Sequence, residues 1–73
     1  MRPMPTKALR KLLRDQGCVL VGTEGSHEKW EAPGGHTCTI KAGTKQQAPG
    51  TLRNIQEALA PELGQGWIDK EQR

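Results

Sequence analysis

Two histidines, His27 and His36, are the only side chains in this chain that titrate near neutral pH without help from their surroundings. Placed on neighbouring strands, such a pair could supply a proton acceptor and a proton donor for general acid–base chemistry. The two cysteines, Cys18 and Cys38, are too few and too far apart in sequence for a disulfide framework or a thiolate zinc cluster. They are expected as free thiols in or near the core. No Cys/His metal spacing, phosphate-cradling glycine loop or nucleophile elbow is present, so no metal and no cofactor is expected. His36 follows Gly34-Gly35 and reads as a turn residue. His27 ends the run Gly25-Ser26-His27 and opens a strand.

The elements that must position His27 follow from apolar spacing. Leu9, Leu12 and Leu13 fall at i, i+3 and i+4, which lines one helical face. Lys7, Arg10, Lys11 and Arg14 fill the other. With Thr6 as N-cap and Gly17 as the stop, the spacing predicts a helix over 6–16. A short β-branched run over 18–21, bounded by Gly17 and Gly22, reads as a strand. After a turn over 22–26, His27–Glu31 is a second strand with Trp30 as its one large apolar residue. Residues 32–35 form a hairpin turn with Pro33, Gly34 and Gly35. A third strand over 36–41 alternates Cys38 and Ile40 with Thr37 and Thr39. Residues 42–50 read as loop. Leu52, Ile55, Ala58 and Leu59 mark a second amphipathic helix, which Pro61 is expected to stop. The tail carries Leu63, Trp67 and Ile68, and the sequence leaves open whether it packs, meets a partner or frays.

The order is helix, three strands, helix. Short connections make the strands an antiparallel meander, because a parallel crossover needs a dozen or more residues. Two helices with apolar stripes must then cover one face of that sheet, giving an α+β domain. The expected core is Leu9, Leu12, Leu13, Val19, Val21, Trp30, Cys38, Ile40, Leu52, Ile55 and Leu59. If Trp30 points inward, His27, Lys29 and Glu31 point outward, joined by Thr37, Thr39 and Lys41. One domain over 1–73 is expected, with a core over about 6–60 and a tail over 61–73.

Composition narrows the function classes. Leu, Ile, Val and Phe make only 12 of 73 residues, but the net charge of +3 is too small for a disordered chain. No apolar run is long enough to span a membrane, and the N-terminus lacks the apolar stretch of a signal peptide, so a cytoplasmic location is expected. Residues 1–14 hold Arg2, Lys7, Arg10, Lys11 and Arg14 with no acid. Lys41, Lys45 and Arg53 precede or open the last helix. Such an excess favours an anionic partner, nucleic acid first. Lys7, Lys11 and Arg14, with Lys41 and Lys45, could follow phosphates in a sequence-independent way. The only aromatics are two tryptophans, so stacking on bases is poorly supplied.

Four features in register resemble the HicA family of toxins: Leu12-Leu13 followed by Gly17, the strand 19–21, the Gly25-Ser26-His27 run, and the stretch Pro49-Gly50-Thr51-Leu52-Arg53-Asn54-Ile55. The last is similar to the family's P-x-G-T-L-x-x-I lead-in to its final helix. The resemblance covers about residues 6–60. It implies a fold like the double-stranded RNA-binding domain and an mRNA-cleaving, translation-blocking toxin held inactive by a HicB-type antitoxin. It also implies that His27 is the essential residue, with Gly25 and Ser26 supporting it. Many members follow this motif with a second histidine, where this chain has Glu28. Many place a basic residue shortly before it, where Thr23 and Glu24 stand, and many end the third strand with Val-Pro-His, where Ile40 is followed by Lys41-Ala42.

Metal-free RNA cleavage by the 2′-hydroxyl needs a base, an acid and cations for the phosphorane charge. His27 suits the base or acid role and Lys29 the phosphate. Glu28 or Glu31 could orient the imidazole, Ser26 could close the turn by a local hydrogen bond, and Gly25 could supply a positive φ. Competing expectations are a non-catalytic RNA-binding domain of the same fold, a degenerate inactive toxin, and a module that only holds a partner protein. True double-stranded RNA binders carry a lysine cluster at the start of the last helix, where this chain has only Arg53.

Overall fold

A computed structural model describes residues 1–73. A two-residue strand, β1 (Met4–Pro5), leads into helix α1 (Thr6–Asp15), whose Leu9, Leu12 and Leu13 are buried. Gly17 follows at φ +88°, the left-handed conformation that ends a helix. Thr6 is not the N-cap. The helix already begins there, with Pro5 at the cap position and no side-chain cap. Thr6 Oγ1 donates to the Thr44 carbonyl (2.6 Å) and accepts from Gln47 Nε2 (2.8 Å). The segment expected as loop over 42–50 contains β5 (Gln46–Gln47), which pairs antiparallel with β1 and holds the start of α1 in place.

Strands β2 (Val19–Glu24), β3 (His27–Glu31) and β4 (Thr37–Lys41) form the expected antiparallel meander, in that order. Helices α2 (Pro49–Leu63) and α3 (Trp67–Glu71) follow. Leu9, Leu13, Leu52, Ile55 and Leu59 from α1 and α2 bury Trp30, Cys38 and Ile40 on one face of the sheet. The other face leaves His27, Lys29, Thr37, Thr39 and Lys41 exposed. This is the α+β, double-stranded-RNA-binding-domain-like layout, extended by α3 and the small β1–β5 ladder. No helix is long and apolar enough to cross a membrane.

Two expectations about the core are corrected. Val19 and Val21 are 58% and 48% exposed, and Leu20 between them is 47% exposed. β2 is an edge strand whose register slips between Leu20 and Gly22, a bulge that displaces Val21 from the pairing. Cys18, just before the strand, takes the core position instead. Second, Pro61 does not stop α2. Its ring removes one backbone donor near the end of the helix, yet the helix runs on to Leu63. Glu62 there is bonded to the 34–36 turn, and Leu63 packs on the core. Gly64, at φ +94°, ends it.

The tail is part of the core. Trp67 and Ile68 are 4% and 0% exposed. Buried Gln56 makes this possible: its Oε1 accepts from the backbone N–H of Ile68 (2.8 Å) and Asp69 (2.9 Å), and its own carbonyl accepts from Trp67 Nε1 (2.9 Å). A side chain of α2 thus satisfies free N–H groups at the start of α3.

Candidate active site

His27 is the first residue of β3 and stands at the mouth of the two-residue Gly25-Ser26 turn. Gly25 has φ +58° and Ser26 has no positive φ, the pattern of a type II′ hairpin turn, which takes Gly first. The Ser26 carbonyl, not its hydroxyl, accepts from the Ala42 N–H at 2.6 Å. A Cβ on Gly43 would lie 3.0 Å from Ser26 Cβ, so the backbone after β4 packs closely on the turn. The end of β3 is therefore held from both sides.

Glu24 on β2 and Lys41 on β4 are directly opposite His27. Lys29, two residues on, lies opposite Gly22 and Thr39. Directly opposed residues share a face within side-chain reach, so His27, Lys29 and Lys41 converge on the open side of the sheet. The His27 ring is exposed, and no hydrogen bond within the chain holds it. Two hollows meet at this side chain. One, of about 410 Å³, lies between β4 and α2 and reaches Thr51 and Asn54. The other, of about 260 Å³, lies over the sheet beside Glu24, Lys29 and Thr39. Imidazole, two ammonium groups and a double concavity suit an extended anionic chain.

The sequence pattern of one protein family, described as the HicA toxin of bacterial toxin–antitoxin, matches residues 6–60. The chain belongs to the HicA toxin family. No curated protein and no solved structure matches it. HicA chains are mRNA-cleaving toxins of toxin–antitoxin pairs, so an RNA substrate and an antitoxin partner come with membership. The matched span covers α1, the sheet and most of α2, including Gly25-Ser26-His27 and the Pro49–Ile55 stretch.

On this HicA scaffold His36 is remote from His27. It precedes β4 at the far end of the sheet, opposite Ala32 and so five residues along, about 17 Å away by strand rise. Its backbone N–H donates to Glu62 Oε2 at 2.7 Å, and its Nδ1 lies 2.5 Å from the same oxygen. Gly34 N–H donates to Glu62 Oε1 at 2.5 Å. Desolvation pushes the Glu62 carboxyl up, but the N–H groups of His36 and Gly34 outweigh it and hold it below the usual carboxylate range. An acid–base pair of the two histidines is ruled out by this separation.

Neither candidate for orienting His27 does so. Glu28 points inward, where its carboxylate takes two bonds from Arg10 (both 3.1 Å) and one from Trp30 Nε1 (3.2 Å). The Arg10 bonds hold its carboxyl low. At the position where many HicA chains have a second histidine, this chain has a strut between the sheet and α1. Arg10 accordingly leaves the solvated helix face. Glu31 sits opposite Val19 and Thr37, at the His36 end.

The cations of α1 are not brought to His27. Lys7, Lys11 and Arg14 ride on the helix covering the inner face, with the core between them and the open side. Lys11 pairs with Asp15 (3.0 Å), and the Arg14 guanidinium lies 5.5 Å from the centre of the Trp30 ring. Lys45 is exposed in the loop before β5.

Three residues near the site escaped sequence reasoning. Thr51 and Asn54 line the larger hollow from α2; both lie in the Pro49–Ile55 stretch, but nothing in their spacing marks them as site residues. Gln47 is buried, and its carboxamide brackets the backbone of Lys41, donating to the carbonyl (2.7 Å) and accepting from the N–H (3.4 Å). It extends the sheet by one side chain beside the lysine that faces His27. No group of three or more His, Cys, Asp or Glu side chains is placed to hold a metal ion. Burial pushes the Cys38 thiol up to about 12, and it raises Cys18 as well.

Proposed function

We propose that this HicA chain cleaves mRNA without a metal ion, with His27 moving the proton at the scissile phosphate. Translation is thereby blocked until a HicB-type antitoxin covers the site. The observation that carries this reading is an exposed imidazole with no intrachain partner, flanked by Lys29 and Lys41 where two hollows meet. In the reaction the 2′-oxygen of one ribose attacks the adjacent phosphorus. Its proton leaves to a base, and the bond from phosphorus to the 5′-oxygen breaks as that oxygen gains a proton. The products are a 2′,3′-cyclic phosphate and a 5′-hydroxyl. His27 serves as the base for the 2′-hydroxyl or as the acid for the 5′-oxygen, and water exchanges the second proton. Lys29 and Lys41 stabilise the charge that builds on the phosphorane oxygens. Gly25 and Ser26 set the turn from which His27 projects.

Lys7, Lys11, Arg14 and Lys45 act at longer range, drawing RNA to the protein in a salt-dependent way. The antitoxin, in this reading, sets acidic side chains against Lys29 and Lys41 and buries His27. Both partners meet in the cytoplasm.

The test is incubation of the purified chain with a long mRNA in EDTA, comparing wild type with His27→Ala. Wild type is expected to cut, leaving 5′-hydroxyl ends, and His27→Ala to leave the RNA intact while remaining folded. Intact RNA with both folded proteins would reject the reading.

A further inference from the structure

Proton transfer at His27 does not require the larger hollow, yet that hollow opens beside it. Its floor is apolar, formed by Ile55 and Ala58 of α2 with Cys38 of β4. Its rim is polar: Thr51 and Asn54 on the helix, Lys41 on the strand. A concave site with an apolar floor and a few directed polar groups is the general form of a small-ligand pocket.

The two helix residues have no structural task. No hydrogen bond within the chain engages the Asn54 carboxamide or the Thr51 hydroxyl, and α2 has no side-chain cap. Asn is a poor helix former, because its side chain competes for backbone partners. Here it stands exposed in the second turn, toward the hollow. A free carboxamide presents a donor beside an acceptor, the arrangement that pairs with the edge of a nucleobase. Both tryptophans are buried, so the hollow has no ring on which a base could stack. Recognition there must work through hydrogen bonds, as for single-stranded RNA whose bases are splayed out and read at their edges.

We propose that the hollow between β4 and α2 is the subsite for the nucleotide on one side of the cleaved phosphate, with Asn54 bonding the edge of its base and Thr51 its ribose. This rests on the RNA-cleaving reading above and adds a source of sequence preference to it. Lys41, held by Gln47, marks where the phosphate passes from this subsite to His27.

The experiment maps cut sites in a random-sequence RNA oligonucleotide pool for wild type, Asn54→Ala, Asn54→Asp and His27→Ala. Glu57→Gln, exposed on the same helix, is the control. Wild type is expected to favour one base next to the cut. Asn54→Ala should level that preference and lower kcat/KM on the favoured sequence by roughly ten-fold or more. Its thermal melting should not fall, since Ala is the better helix former. Asn54→Asp, which offers only acceptors, should shift the favoured base, and Glu57→Gln should behave as wild type. Wild-type rate and preference in both Asn54 variants, or no base preference in wild type, would overturn the subsite and leave the cleavage reading standing. A wild type as silent as His27→Ala would overturn both.

Discussion

The two ends of β3 are built alike and used differently. At one end the Gly25-Ser26 turn delivers His27; at the other the Pro33–Gly35 turn delivers His36. His36 is tied to Glu62 through both its ring and its backbone, and Glu62 also holds Gly34. His27 has glycine and serine behind it, one backbone bond from the Ala42 N–H to the Ser26 carbonyl beside it, and nothing bonded to its ring. The comparison teaches where a small domain can place chemistry. At the His36 end the side chain secures the fold. At the His27 end the backbone does so, through the II′ turn and the flanking strands, and the side chain remains free for a ligand.

The strongest way to break this contrast is to exchange the fates of the histidines. His27→Ala should lower RNA cleavage by at least about 100-fold, the usual contribution of a positioned acid or base, and leave thermal melting nearly unchanged. His36→Ala should keep cleavage near wild type and lower Tm. Loss of cleavage in His36→Ala with normal folding would overturn the assignment. Next come the cations: Lys41→Ala and Lys29→Ala should each cost roughly ten-fold in kcat/KM, the scale of one charge-assisted hydrogen bond. Lys11→Ala, across the core, should change it less than about three-fold at moderate salt.

The structural end can be sharpened without touching the site. A methyl group at Gly34 would sit 2.6 Å from Glu62 Oε1. Gly34→Ala should therefore displace Oε1 from the Gly34 N–H and lower Tm by roughly 4–8 °C, the scale of one lost hydrogen bond in a domain of this size, with cleavage retained. The smallest effect is a pH signature. Because the folded Glu62 carboxyl is held below its unfolded value near 4.5, its contribution to stability is complete above that pH. It disappears as pH falls through the lower folded value. Glu62→Gln should thus flatten part of the acid loss of stability below about pH 4.5 in denaturant titrations. Glu28, held low mainly by its Arg10 bonds, contributes with the same sign.

Much of the inner face was legible in the chain. The spacing of Leu9, Leu12 and Leu13, the lone Trp30 in a polar strand, and the alternation around Cys38 and Ile40 placed those residues where the fold buries them. Glycine after the first helix and the glycine turns marked the corners, because positive φ admits little else. The same alternation put His27, Lys29 and Lys41 on the open face. Val19 and Val21 read as core in the sequence because a β-branched run looks the same whether or not anything covers it. The bulge at Val21 and the position at the sheet edge are properties of pairing. Pro61 reads as a stop in the sequence because the bonds that tie Glu62, just past it, to the 34–36 turn reach back 26 and 28 residues in the chain.

By itself, then, the amino-acid sequence determined the central order of helix, three strands and helix, the sheet's two-sidedness and the exposed histidine, because periodicity and turn chemistry are local. Tertiary structure alone decided which histidine is free, that Glu28 braces α1, that Gln56 starts α3 and Gln47 borders Lys41, and that Thr51 and Asn54 share a hollow with His27. Each of these depends on a polar side chain meeting a distant backbone or a neighbour on another element, and hydrogen bonds over such separations leave no period in the sequence.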